Sequence, residues 1–198
     1  MRVAQVLSVA LMVAAAPVLA TETVNFDDYV FSGSLSYAAA DRYRSAGIVF
    51  GRDIPVENVQ LFEPQSYSLF LSWGGTAPNA LCMTQSTGLT MQAWFYLPGT
   101  TTPATTSLVR MLVMDTEVGS TLGVLLAYDE GHNLIDSNAR LTPSSMGGYL
   151  EIDAPGIAEI YFYTDADGAT FDNLTFTTPT GPSATDETTW GSVKALYR

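Results

Sequence analysis

Short stretches of alternating apolar and polar residues run along most of the chain, separated by Gly, Pro, Asn and Asp. They are rich in β-branched and aromatic residues and recur about every 8 to 15 positions, a spacing typical of antiparallel sandwiches and barrels. The predicted strands are TVNFDDY, GIVFG, VQLFE, YSLFLSW, ALCMTQ, LTMQAWFYL, SLVRMLVMD, TLGVLLAYD, GYLEID, AEIYFYT and ATFDNLTF. DEGHN, DAPGI and DADGA predict turns. A helical turn is expected only within residues 36–47, where Gly47 would end it. The pattern predicts an all-β domain.

The first twenty residues have the layout of a secretory signal peptide. Arg2 precedes a run of apolar residues, and Val18-Leu19-Ala20 forms a small-residue cleavage motif. A membrane anchor is the alternative, but the apolar run is short for a bilayer span. We therefore expect a protein that is secreted or displayed at the cell surface, with no membrane insertion after cleavage.

The rest of the chain divides into three further segments. These are one β-sandwich domain (21–178), a flexible linker (179–189) and a short tail (190–198). The linker is rich in Thr, Pro, Gly and Ser, a composition typical of flexible segments.

The tail WGSVKALYR has its apolar residues at helical spacing, so it is predicted to form a short amphipathic helix. We interpret it as a recognition tag for sorting machinery. A frayed terminus, or a segment that folds back on the domain, is the alternative.

Charge and composition exclude several classes of function. Twenty acidic residues against eight Lys and Arg give a formal net charge of −12, which disfavours nucleic acid as a partner because phosphate binding relies on basic side chains. Cys82 is the single cysteine and is predicted to be a small core residue. His132 is the single histidine, in a predicted hairpin turn, which disfavours a multi-histidine zinc site and Ser-His-Asp catalysis.

The stretch GATFDNLTF (168–176) places a carboxylate within a predicted strand. Strict alternation puts Asp172 on the same face as Leu174 and Phe176. A buried carboxylate is costly unless it is hydrogen-bonded, paired or bound to an ion. Two explanations are open: Asp172 and Asn173 accept backbone N–H groups, or the carboxylate holds a cation.

Three tryptophan and tyrosine side chains are the predicted ligand-binding residues: Trp73, Trp94 and Tyr96. Consecutive aromatics in WFY (94–96) and YFY (161–163) must point to alternating faces, so each run places at least one ring off the core. Trp73 precedes Gly74 at a strand-to-loop junction and is our candidate for a surface platform. Ordinary core packing is the alternative, since β cores also use aromatics.

Five short motifs occur in the order found in a group of secreted bacterial domains. They are FDD (26–28), the Y…GI.F element from Tyr43 to Phe50, PNAL (78–81), VLLAYDEG (124–131) and FDNLTF (171–176). Over about residues 23–177 the chain resembles galactose-binding-like, carbohydrate-binding-module-like domains. The resemblance implies an antiparallel jelly-roll β-sandwich in which the first and last strands lie close together.

The same resemblance implies a structural calcium ion. It places Asp27 or Asp28 near Asp172 and Asn173, and related jelly rolls often hold Ca²⁺ there. Ca²⁺ takes six to eight oxygen ligands from carboxylates, amides and carbonyls. The chain has no dense Asp-rich calcium loop, and DADG (165–168) lacks the further acids of an EF-hand.

Together these features predict an exported, non-catalytic module that binds an extracellular or cell-surface glycan. A structural or cell-surface matrix protein, sorted by its C-terminal tail, is the alternative. A glycan-active enzyme is the third possibility, but no carboxylate pair stands out among the twenty acids.

Overall fold

The computed structural model describes residues 20–29, 35–59, 71–72, 74–82, 90–115, 120–143, 146–165 and 169–181. These residues form twelve strands and one 3₁₀ helix, Arg44–Ala46. The strands are β1 (Thr21–Val24), β2 (Leu35–Ala38), β3 (Ile48–Phe50), β4 (Ile54–Asn58), β5 (Asn79–Cys82), β6 (Met91–Phe95), β7 (Thr106–Asp115), β8 (Ser120–Tyr128), β9 (Leu134–Pro143), β10 (Gly147–Ile157), β11 (Glu159–Thr164) and β12 (Ala169–Thr177). In this described part, no helix is long and apolar enough to cross a membrane.

The strands form two antiparallel sheets that pack face to face. Seven strands make one sheet, in the order β10-β7-β12-β5-β4-β2 with β1 also paired to β12. Five strands make the other, in the order β3-β6-β11-β8-β9. The predicted fold class, an antiparallel jelly-roll β-sandwich, is confirmed.

Aromatic side chains from both sheets meet in the core. Phe162 of β11 contacts Phe171 of β12 with ring centroids 5.2 Å apart, and Phe95 of β6 contacts Phe176 of β12 at the same distance. Such pairs contribute roughly 0.5–1.5 kcal/mol beyond the area that they bury. Cys82 is a buried free cysteine, as predicted. Phenylalanine side chains from the two sheets therefore pack against one another in the core.

The first and last strands are neighbours. β1 pairs with the second half of β12, with Thr21 opposite Thr177 and Val24 opposite Leu174. β5 pairs with the first half of β12, where Cys82 lies opposite Thr170. The adjacency that the resemblance implied is thus confirmed, and it brings the loop after β1 close to the start of β5.

The strand prediction missed or shortened three elements. β2 and β4 were not predicted, and β4 contains Pro55, which breaks the usual strand signal. Only the start of β9 was predicted, because this edge strand is largely exposed and most of its residues lack the apolar alternation that indicates a strand. In residues 36–47, the 3₁₀ helix does end at Gly47, which has a φ of 94°, while Ser36 belongs to β2.

The predicted DAPGI turn is wrong. Residues 153–157 lie inside β10, where the register against β7 shifts between Asp153 and Ile157. Gly156 has a φ of 83°, which allows this bulge without ending the strand. The described residues of the strands predicted at VQLFE and YSLFLSW are helical (Val59, Leu71 and Ser72), so the strand prediction is wrong there. The rest of these two stretches lies outside the described residues, as do the predicted signal peptide, most of the linker and the whole tail.

Candidate functional site

The outer face of the five-stranded sheet carries two of the three predicted ligand-binding aromatics. Along β6, Met91, Ala93 and Phe95 are buried between the sheets, whereas the intervening side chains are only half-buried. Trp94 and the next outward residue, Tyr96, therefore lie on the opposite face from Phe95, as alternation predicted.

Trp94 and Tyr96 line a cavity of about 450 Å³. We call it the aromatic pocket and define it by its main side chains: Trp94, Tyr96, Asp129, Glu130, His132 and Glu159. The pairing of the strands explains this composition, because Glu159 of β11 lies opposite Trp94 on one side and Tyr128 of β8 on the other.

Glu159 is the buried centre of the polar groups in the aromatic pocket, with only 6% of its surface exposed. One carboxylate oxygen accepts a hydrogen bond from the Gln92 amide. The other lies 2.8 Å from Nδ1 of His132. Because a carboxylate only accepts, we place the proton on His132 Nδ1, which leaves Nε2 free to accept when the ring is neutral.

The β8–β9 hairpin holds His132 in place. The Asp129 carboxylate accepts the Asn133 N–H at 2.8 Å, and this bond lowers the pKa of Asp129. His132 has a φ of 59°, and its ring stacks on Tyr128 with centroids 5.0 Å apart and planes 12° apart. The imidazole is exposed as predicted, yet its position is fixed by both the ring stack and Glu159.

A second cluster of polar groups lies where the first and last strands meet. A register shift in β12 places Asp172 opposite Leu112 but Thr175 opposite Arg110, and Asn173 has a φ of 50°. Phe171 and Leu174 consequently both pack in the core between the sheets. The alternation of inward and outward side chains along β12 therefore shifts by one residue across this bulge. The predicted shared face of Asp172 with Leu174 and Phe176 is therefore wrong, although Asp172 is buried.

The Asp172 carboxylate is only partly satisfied. Its Oδ2 accepts the Thr76 N–H at 2.7 Å, and the Thr76 hydroxyl lies 3.3 Å away. Its Oδ1 is buried and has no hydrogen-bond partner within the described residues. The backbone N–H groups of Thr76 and Asn173 both lower the pKa of Asp172. Burial outweighs these contacts and raises that pKa to about 7.

Asp27 and Asn79 complete this cluster. Asp27 Oδ1 accepts the Asn79 N–H at 3.0 Å, and burial raises the pKa of Asp27. The Asn79 side chain donates to the carbonyls of Phe26 and Tyr29, at 3.2 and 2.7 Å. Its Oδ1 is a second buried oxygen that lacks a partner in the described part of the chain. We call Asp27, Thr76, Asn79, Asp172 and Asn173 the strand-junction cluster.

The structure separates the four residues predicted as metal ligands. Asp27, Asp172 and Asn173 share the strand-junction cluster. Asp28 lies apart, where it accepts hydrogen bonds from Arg42 Nε at 3.1 Å and from the Tyr43 hydroxyl at 2.9 Å. Across the described ranges, no three His, Cys, Asp or Glu side chains come together in the way of a metal site. Any cation at the strand junction would therefore depend on amide oxygens as well as carboxylates.

Sequence reasoning missed several residues of both sites. Thr76 and Asn79 were not proposed as site residues, although Asn79 belongs to the PNAL motif. Glu159 and Gln92 carried no local signal. Trp73, the third predicted ligand-binding aromatic, lies outside the described residues.

The fold and the two sites define a jelly-roll β-sandwich with a lined cavity on one sheet and a polar junction on the other. No family model matches the chain, and no curated protein matches it in sequence.

Several solved structures are similar in architecture. A DUF4465 family protein from Bacteroides caccae aligns with a TM-score of 0.46 and 8% identity, over 87% of this chain and 98% of that one. A family 11 carbohydrate-binding module from Clostridium thermocellum, in complex with a mixed-linked tetrasaccharide, aligns with a TM-score of 0.36 and 12% identity, over 84% and 100%.

The CBM22-1 and GH10 modules of a Clostridium thermocellum xylanase, complexed with xylohexaose, align with a TM-score of 0.37 and 15% identity. That alignment covers 81% of this chain but only 28% of the xylanase chain. At these identities and TM-scores the similarities assign neither a family nor a ligand. The resemblance to galactose-binding-like domains therefore stays a prediction.

Proposed function

We propose that the protein is an exported, non-catalytic module that binds an extracellular or cell-surface glycan in the aromatic pocket. The observation that supports this proposal is the placing of Trp94 and Tyr96, half-buried on one face, beside fixed hydrogen-bonding groups. A sugar ring has an apolar face that an aromatic ring can cover and a rim of hydroxyl groups. A cavity of about 450 Å³ lies within the usual range for a small-ligand site, roughly 300–1,000 Å³.

The polar groups of the aromatic pocket suit binding better than acid–base chemistry. Both oxygens of Glu159 already accept hydrogen bonds, from Gln92 and His132. A carboxylate held in this way orients its neighbours and is poorly placed to exchange a proton with a substrate. Its main effect is to aim His132, whose exposed Nε2 can accept a hydrogen bond from a sugar hydroxyl.

The test is calorimetric titration of the mature chain, residues 21–198, with oligosaccharides of glucose, xylose, mannose and galactose. Trp94→Ala should weaken the binding of any glycan that is found by about thirtyfold, because truncating an aromatic anchor typically costs about 2 kcal/mol or more. Tyr37→Ala is the matched control, since Tyr37 is a half-exposed aromatic on β2 of the other sheet. No binding by any sugar, or equal binding by Trp94→Ala, would contradict the proposal.

We also propose a structural Ca²⁺ in the strand-junction cluster, held by Asp27, Asn79 and Asp172. Two buried oxygens of this cluster that lack partners within the described residues, Asp172 Oδ1 and Asn79 Oδ1, support it. Ca²⁺ would neutralise two carboxylates whose pKa values are both raised by burial. Backbone capping, the alternative, accounts for only one oxygen of Asp172, through the Thr76 N–H. Asp28 is left out of this ligand set because Arg42 and Tyr43 already engage it.

A structural role in a surface layer is the second candidate. The edge strand β9 exposes Leu134 and Leu141, at 55% and 62%, and exposed apolar groups on a sheet edge favour association with other chains. A concentration-dependent increase in mass by light scattering, lost in Leu141→Ser and unaffected by glycans, would support this role over glycan binding. The proposed sorting function of residues 190–198 is a separate property that either role allows.

A further inference from the structure

The aromatic pocket is acidic. Asp129, Glu130 and Glu159 all line it, and in the described part of the chain its lining includes no Lys or Arg. The Arg44 guanidinium lies over the ring of Tyr96, 5.5 Å from its centroid, and donates to the Thr100 carbonyl. Arg44 therefore occupies one face of Tyr96. Trp94 has no such cation over its ring within the described residues, so we assign the first contact with a ligand to its indole ring, with Tyr96 beside it.

The three carboxylates differ in what they already bind. Glu159 is engaged by Gln92 and His132. Both oxygens of Asp129 accept hydrogen bonds from Asn133. Glu130 is exposed and has no hydrogen bond or ion pair within the described residues. Glu130 is therefore the carboxylate that is free to meet a ligand, while the other two contribute fixed negative charge around it.

An indole face beside an unengaged carboxylate is the chemistry that selects an organic cation. An ammonium group over a tryptophan ring gains about 0.5–2 kcal/mol, and an exposed ion pair adds about 0.2–1 kcal/mol. A neutral sugar gains neither interaction. An anionic sugar, such as a uronic acid, would be repelled by all three carboxylates.

We propose that the aromatic pocket recognises a glycan with free amino groups, built from glucosamine units, in preference to the N-acetylated or unsubstituted polymer. Trp94 covers the sugar ring, and Glu130 pairs with the ammonium group. His132, aimed by Glu159, accepts a hydrogen bond from a hydroxyl. This inference rests on the proposed glycan-binding function and names its substrate class.

The test compares three oligomers of equal length, made of glucosamine, N-acetylglucosamine and glucose. Each is titrated into the mature chain at one pH and low ionic strength. We expect the glucosamine oligomer to bind about tenfold more tightly than the other two, which corresponds to about 1.4 kcal/mol. Added salt should shrink this preference, because the pair with Glu130 is exposed.

Two isosteric variants locate the effect. Glu130→Gln should reduce the preference for the glucosamine oligomer by up to about fivefold, the contribution of an exposed ion pair, without weakening the binding of the neutral oligomers. Asp136→Asn removes an equal charge from exposed β9 and should leave the preference intact. An equal loss of preference in both variants would assign it to the overall negative charge of the chain and overturn the proposal.

The remaining outcomes separate this inference from the function on which it rests. Equal binding of all three oligomers by the unaltered chain would leave glycan binding in place and overturn the preference for amino sugars. Binding of none of them, together with no binding in the wider sugar panel, would overturn both. An oligolysine that binds as tightly as the glucosamine oligomer, and loses affinity in Glu130→Gln, would show recognition of a cation without a sugar and also overturn the proposal.

Discussion

The aromatic pocket and the strand-junction cluster each bury a carboxylate, but the two carboxylates differ in how fully they are hydrogen-bonded. Glu159 is 6% exposed, and both of its oxygens accept hydrogen bonds from side chains on neighbouring elements. Asp172 is 1% exposed, and one of its oxygens has no partner within the described residues. A carboxylate that the protein fully satisfies can serve as a fixed support for a ligand outside it. A buried carboxylate that is half-satisfied either holds its proton more tightly or needs a positive charge beside it.

The largest effect should come from calcium. At a hundred times its dissociation constant, an ion that binds only the folded state adds about 2.7 kcal/mol to the free energy of unfolding. For a domain of this size, we expect a rise in Tm of about 5–10 °C over the value in a chelator. Scanning calorimetry of the mature chain measures it.

Two isosteric variants test whether that calcium response belongs to the strand-junction cluster. Asp172→Asn should abolish the rise in Tm. Asp28→Asn should keep it, because Asp28 is bonded to Arg42 and Tyr43 outside the cluster. A calcium response that survives Asp172→Asn, or no response in the unaltered chain, would return Asp172 to backbone capping alone.

The pH dependence of stability in chelator should be the next largest effect. Burial raises the folded-state pKa of Asp172 to about 7 from an ordinary value of 3.8. The folded state therefore binds this proton more tightly than the unfolded state, so the contribution of Asp172 to stability is greatest below pH 4 and falls as pH rises toward 7 and above. We expect Asp172 to account for about 2 kcal/mol of this fall, since each pKa unit is worth about 1.4 kcal/mol and burial energies are partly relaxed.

Urea unfolding at several pH values, with and without Asp172→Asn, isolates this contribution. The variant is needed because burial also raises the pKa of Glu57 on β4 to about 7, so the unaltered chain should show both effects. Excess Ca²⁺ should suppress the part that Asp172→Asn removes, since a bound cation holds the carboxylate ionised. Equal pH profiles for the variant and the unaltered chain would show that Asp172 does not titrate in this range.

The smallest effect should come from Glu159→Gln. The change removes the charge-assisted hydrogen bond to His132 and disturbs the bond from Gln92, while the shape of the side chain is kept. We expect a loss of about 1 kcal/mol in glycan binding, seen as a fivefold weaker affinity by calorimetry, and this loss should be the same with and without calcium.

The two carboxylates should also differ in their effect on fold stability. In chelator, Asp172→Asn should stabilise the fold at neutral pH, whereas Glu159→Gln should not. Stabilisation by both variants would show that burial destabilises the two carboxylates alike, and would contradict the difference drawn between them.

The two regions also differ in what their sequence revealed. Alternation along β6 was enough to place Trp94 and Tyr96 on the outer face, because β6 runs without a bulge. The same rule failed at Asp172, where the positive φ of Asn173 resets the alternation. Asn adopts a positive φ more readily than most residues. The Asp-Asn pair was therefore a weak sign of a bulge, which the alternation rule alone does not take into account.

The partners of each carboxylate were hidden for a different reason. Thr76 and Asn79 reach the strand-junction cluster from more than ninety positions before Asp172, and Gln92 reaches Glu159 from another strand. Such contacts depend on which strands become neighbours and in what register. A local pattern predicts that a strand exists and which side it buries, but it does not predict the residue across the ladder. The resemblance implied only that the first and last strands lie close together, and the structure shows that β1 pairs with β12.

That pairing has a mechanical consequence. The Thr178 N–H donates to the Ala20 carbonyl at 2.8 Å, so the chain enters β1 and leaves β12 at the same end of an antiparallel ladder. Tension applied between these two points would peel β1 away one rung at a time, and few bonds would share the load at any moment. The strand-junction cluster lies beyond the far end of the same ladder. An ion bound in this cluster would resist the separation of β1 from β12 at that end of the ladder.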